Sequence, residues 1–79
     1  MDKNLITGQE LAKMLDVSNA TINYYTNMGL FTVKDRRGNV RLYEKNETRE
    51  LYEQIRKMRK EGYSLRIIHE RLQQGYKIQ

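Results

Sequence analysis

The chain has 79 residues, no cysteine, one histidine and a net charge of +5, from 15 Lys and Arg against 10 Asp and Glu. It is long enough for one small domain, since domains usually run to about 100–150 residues. Disulfides and thiolate metal sites are excluded, no carboxylates cluster near the histidine, and no apolar run approaches the roughly 18 residues of a membrane span. No signal-peptide pattern is present, so the sequence reads as cytoplasmic, with no metal, no cofactor and no membrane partner.

The charge is unevenly placed. Residues 1–22 carry net −1, residues 23–43 net +3 and residues 44–79 net +3. A basic excess that begins near Asn23 points to nucleic acid, because Lys and Arg that displace condensed counterions supply much of the affinity for a duplex. A solvated surface that keeps a small domain in solution is the plainer explanation.

Thr7 and Glu10 have the spacing of a capping box, with Ile6 before the cap able to pack on Leu11. Leu11, Met14 and Leu15 repeat at helical spacing, which predicts a first helix from about Gly8 to Leu15. Ser18 can cap a second helix, with Val17 able to pack on Ile22, and Gly29 closes it in a left-handed conformation. Two short helices joined by Asp16-Val17-Ser18 outline a helix-turn-helix. Between Ser18 and Asn27 there is no charged residue, only a polar set that includes Asn19, Thr21, Asn23 and Tyr24. Asn can pair with adenine through two hydrogen bonds, and Thr and Tyr can touch thymine methyls or phosphates. Tyr25 is read as core and Tyr24 as facing outward.

Leu30–Lys34 and Val40–Tyr43 read as short strands around Asp35-Arg36-Arg37-Gly38-Asn39, in which Gly38-Asn39 is a hairpin-turn signature. Arg36, Arg37 and Arg41 make this hairpin basic, as a wing that grips phosphates would be. A third helix is predicted from Lys45 or Asn46 to Glu61, with Leu51, Tyr52, Ile55 and Met58 as its apolar stripe. Arg56, Lys57, Arg59 and Lys60 gather at its C-terminal end, which either the helix dipole or a phosphate partner would explain. Gly62 ends it. Ser64 caps a fourth helix with Leu65, Ile68 and Leu72 inward, closed by Gly75. His69 reads as a surface or half-buried residue and Tyr76–Gln79 as a terminus.

The order of parts, together with "Glu10-Leu11-Ala12-Lys13…Val17-Ser18…Thr21-Ile22-Asn23-Tyr24-Tyr25…Gly29-Leu30", "Arg41-Leu42-Tyr43" and "Ile55-Arg56…Arg59-Lys60-Glu61-Gly62-Tyr63-Ser64-Leu65-Arg66-Ile67-Ile68", resembles the DNA-binding domain of the MerR family of bacterial regulators. The resemblance covers about Ile6 to Leu72. It implies a mainly α fold with a small β-hairpin: a winged helix-turn-helix of four helices and a two-stranded wing. Residues 1–79 would form one domain, with the helix-turn-helix at 6–28, the wing at 30–43 and the two C-terminal helices at 45–74. The family usually has an arginine where Asn23 stands and often a glutamate where Thr26 stands. Its long dimerisation helix and effector domain have no counterpart after Leu72, and no small-molecule effector site is evident.

By that resemblance the second helix enters the major groove of double-stranded DNA, with Thr21, Asn23 and Tyr24 at bases or nearby phosphates. Ser18 and Asn19 lie at the helix N-terminus, where a phosphate can be held. Arg36, Arg37, Asn39 and Arg41 hold the flanking backbone, and Tyr63 with Arg66 forms a second contact. A sequence-specific transcriptional regulator, with a second copy of itself on one site, is the leading expectation. A small phage or mobile-element architectural protein that binds in tandem and bends DNA is the alternative. A protein-interaction module that uses the basic third helix is a third reading, and it leaves the uncharged second helix unexplained. No enzymatic activity is expected, because no nucleophile partners the histidine and no glycine-rich phosphate loop is present.

Overall fold

The computed structural model describes residues 4–74. Its elements are β1 (Leu5–Thr7), α1 (Gly8–Leu15), α2 (Asn19–Asn27), β2 (Asp35–Arg37), β3 (Val40–Glu44), α3 (Lys45–Lys60) and α4 (Leu65–Gln73). This is the expected winged helix-turn-helix: four helices, with β2 and β3 as the wing.

Each helix starts at a side chain that takes up a free amide. Thr7 and Glu10 close the capping box in both directions, at 3.1 and 2.8 Å. Ser18 accepts from the Thr21 amide and Ser64 from the Ile67 amide, at 3.1 and 3.3 Å. Glu44 caps α3 by accepting from the Glu47 amide, a task that serine or threonine more often performs.

The helix ends are equally specific. Past α2, the Leu30 amide reaches the Tyr25 carbonyl at 2.9 Å and the Gly29 amide reaches Thr26 at 3.0 Å. That is a Schellman motif, and it needs Gly29 at its observed φ of +86°. Gly62 closes α3 in the same way. At the end of α1 the left-handed position is taken by Asp16, at φ 59° and ψ 47°. Its short polar side chain tolerates the conformation better than most. The expected closure of α4 by Gly75, and the terminus at Tyr76–Gln79, lie outside the described residues.

The strands differ from expectation in two ways. Leu30 and Phe31 do not begin a strand: both their amides are spent on the Tyr25 carbonyl and both side chains are buried. The first wing strand is instead Asp35–Arg37, within the segment expected to form the turn. In addition, Leu5–Thr7 forms a third strand, so the sheet has the order β1-β3-β2 with both pairs antiparallel.

The core is drawn from every helix and from β3. Leu11, Ile22, Tyr43, Ile55, Met58 and Ile68 are each less than 2% exposed. Full burial of an aliphatic side chain of this size stabilises by roughly 1.5–3 kcal/mol. Tyr25, Leu51, Tyr52, Leu65 and Leu72 pack around this centre half-buried. Tyr25 is thus part of the core margin, with its ring edge-on to Phe31 at 5.3 Å.

Candidate nucleic-acid interface

Ile22 is buried and Tyr25 and Thr26 are half-buried, so α2 is held to the core by one face. The opposite face carries Asn19, Ala20, Asn23, Tyr24 and Asn27, all exposed, with Ser18 exposed at the cap. Tyr24 is 54% exposed despite its ring. Thr21 is half-buried, and its hydroxyl lies 3.0 Å from that of Ser18. That hydroxyl therefore completes the N-terminal turn as well as lying beside the exposed face.

One part-buried contact ties α2 to the wing. The Thr26 hydroxyl donates to the Ile22 carbonyl at 2.7 Å and lies 2.8 Å from the Tyr43 hydroxyl. A threonine has a single proton to give, so Tyr43 is the donor across the gap. This bond links α2 to β3, at the position where the family often carries a glutamate.

In the wing, β2 and β3 meet in the register Asp35–Leu42, Arg36–Arg41 and Arg37–Val40. Gly38 turns the hairpin at φ +63° while Asn39 keeps a negative φ, the φ signs of a type II′ turn. Arg36 and Arg41 stand directly opposite each other, an arrangement that costs free energy in an isolated hairpin. Both share the face of Tyr43, because facing residues and residues two apart on a strand point the same way. A shallow groove next to that face is lined by Thr7, Gly8, Gln9, Asn23, Asn39, Val40, Arg41 and Tyr43.

Of the residues singled out in the sequence, Asn23, Asn39 and Arg41 come together around this groove. Ser18 and Asn19 line a neighbouring cleft with Gln9, Lys13 and Asp16. Arg36 and Arg37 are exposed on β2, and Arg37 is close enough to Glu10 to act on it electrostatically. The Glu10 carboxyl is held below its ordinary range, chiefly by the hydrogen bond from the Thr7 amide, with a smaller contribution from Arg37. Tyr63 and Arg66 do not line the groove. Tyr63 is half-buried after α3, with the Arg71 guanidinium 4.7 Å from its ring centre, and Arg66 is exposed and pairs with Glu70 at 3.7 Å. Gln9, part of both depressions, was missed; it falls off the apolar face of α1 in the first turn, which is the only signal it gives.

The C-terminal end of α3 presents Arg56, Lys57, Arg59 and Lys60, all exposed, and among the described residues none of them makes an ion pair. Three of them surround the edge of Tyr25. Burial pushes the Tyr25 phenol above its ordinary pKa, with Arg59 acting in the opposite direction. His69 is half-buried on α4, and its Nε2 lies 3.3 Å from the Gln73 amide nitrogen. Among the described residues no group of three or more His, Asp or Glu could hold a metal ion, and no helix is long and apolar enough to cross a membrane.

The family model described as MerR HTH family regulatory protein matches residues 6–75, from β1 to just past α4. The chain belongs to the MerR helix-turn-helix family. No match was found among curated proteins or among solved structures. The MerR match spans all four helices and the wing, so DNA binding and transcriptional regulation are the general functions of this domain. The MerR position usually held by arginine on the recognition helix is here the exposed Asn23.

Proposed function

We propose that this MerR domain binds double-stranded DNA sequence-specifically, with the exposed face of α2 in the major groove and the wing on the flanking backbone or minor groove. Asn23 and Tyr24 read bases, with Thr21 beside them. Ser18 and the free amides at the start of the helix hold a phosphate, and Asn19 beside them faces the DNA. Arg36, Arg37, Asn39 and Arg41 fix the register through the backbone, and Tyr63 with Arg66 makes a second backbone contact.

The observation that carries this reading is the shared groove. Asn23 from the helix and Asn39 and Arg41 from the wing converge on one concavity although the chain brings them from separate elements. The opposed Arg36 and Arg41 add to it, because a phosphate between them turns a repulsion in the free protein into two attractions. One module of this size buries only about 600–1,000 Å² against DNA. Tight binding therefore calls for two copies on one site, with half-sites about one helical turn apart.

The test is a fluorescence-anisotropy titration of a selected duplex and a random duplex at several salt concentrations. Asn23→Ala is expected to erode the preference for the selected duplex. Arg37→Ala is expected to weaken both duplexes alike and to lower the salt slope by about one. If both substitutions act equally on both duplexes, α2 does not read the sequence. Binding that is equal for all duplexes and steep in salt would instead describe an architectural protein.

A further inference from the structure

The exposed face of α2 has a chemistry that restricts which bases it can take. Asn19, Asn23 and Asn27 recur every four residues, so they form one stripe advancing about 6 Å per step, a little under two base-pair steps of about 3.4 Å. All three are exposed, and none makes a side-chain hydrogen bond within the described residues. From Ser18 to Met28 the chain holds no lysine, arginine or carboxylate.

We infer that the half-site read by α2 is adenine-specific, with Asn19 and Asn23 each engaging the major-groove edge of an adenine and no guanine required at the helix-facing positions. The inference rests on the reading of α2 as the groove-facing helix given above.

The argument is one of donor and acceptor counts. A carboxamide presents one acceptor and a donor pair on a single plane, and adenine answers with the N6 amino group and the N7 acceptor. Guanine presents two acceptors, O6 and N7, which require two donors of the kind that arginine or lysine supplies. Set against guanine, the asparagine carbonyl would face a lone pair, and one buried polar group would be left unmatched. With no cation on the helix, no side chain of α2 offers the paired donors that guanine takes in a bidentate contact; the Thr21 and Tyr24 hydroxyls can each supply only one. Ala20 and the exposed ring of Tyr24 complete the face with apolar surface suited to a thymine methyl, the partner that each adenine brings on the other strand.

The experiment selects duplexes from a random library with the full chain, then replaces single bases of the selected site by their 7-deaza analogues, which lose only the N7 acceptor. Adenine is expected at the helix-facing positions, and 7-deazaadenine at either is expected to weaken binding about tenfold. In Asn23→Ala one of those two sensitivities disappears while the other persists, which assigns the contact to the residue. In Asn23→Arg the preference at that position moves to guanine. A selected site with guanine at these positions, or 7-deazaadenine that changes binding less than twofold, overturns the inference while leaving DNA binding intact. A folded sample that binds no duplex overturns both the inference and the function on which it rests.

Discussion

The hydroxyl pair between Thr26 and Tyr43 makes a sharp forecast, because its two halves are unequal. Tyr43 is 1% exposed and donates to Thr26, whose own proton goes to the Ile22 carbonyl. Tyr43→Phe removes the donor and leaves Thr26 still bonded to the helix backbone, so it forfeits one net hydrogen bond, about 0.5–1.5 kcal/mol. Thr26→Val keeps the branched shape but strands the Tyr43 hydroxyl in the core, which costs about 1–3 kcal/mol. The double variant removes both polar groups and leaves shapes that still fit, so it should be more stable than Thr26→Val alone. Urea melts of the four proteins give the coupling directly. It should reach about 1 kcal/mol or more, visible also as Tm differences of roughly 4–8 °C per kcal/mol in a domain this small. Effects that add to within about 0.3–0.5 kcal/mol would refute the reasoning, since independent side chains add in that way.

Two further outcomes follow from local geometry. Alanine at Gly29 would need φ +86° and would bring its Cβ within 3.0 Å of the His69 ring, whereas Gly62, at φ +102°, faces open space. Thermal unfolding should therefore show that a His69→Ala background lessens the penalty of Gly29→Ala and leaves that of Gly62→Ala unchanged; equal behaviour of the two glycines would remove the clash from the account. Glu10 has its folded pKa lowered by the Thr7 amide. Its carboxylate thus stabilises the fold above the unfolded pKa of about 4.3, and that contribution is lost as pH falls through the folded value. Compared with Glu10→Gln in pH-dependent melts, the native chain should hold an advantage at neutral pH that vanishes in strong acid; an advantage independent of pH would sink this assignment.

The helices were legible because their ends are written in side chains. Thr7, Ser18 and Ser64 are ordinary caps, and Gly29 and Gly62 occupy the positive-φ positions that the stops require. Glu44 was less visible as a cap because a carboxylate there competes with its ordinary use as a helix residue. The strands were harder to read. Three residues, Leu5–Thr7, are too few to show an alternating pattern, and the apolar Leu30-Phe31 pair mimics a strand while serving the core. In the interface, the uncharged face of α2 and the basic wing could be found from composition along the chain. Their meeting around Asn23, Asn39 and Arg41 could not, because it depends on the β3 register and on the Thr26–Tyr43 bond.

The small strand β1 has a consequence out of proportion to its size. By pairing Thr7 with Leu42 it closes a loop of about 35 residues that contains the whole helix-turn-helix, at an entropic cost on the order of 3 kcal/mol beyond a constant. Because β3 pairs with β1 on one side and with β2 on the other, the helix pair and the wing hang on one shared strand, and amides on both should exchange with solvent through one cooperative event. The helix pair and the wing are in this sense a single foldon. A change at Leu5, which is not among the side chains proposed to face DNA, would slacken both together.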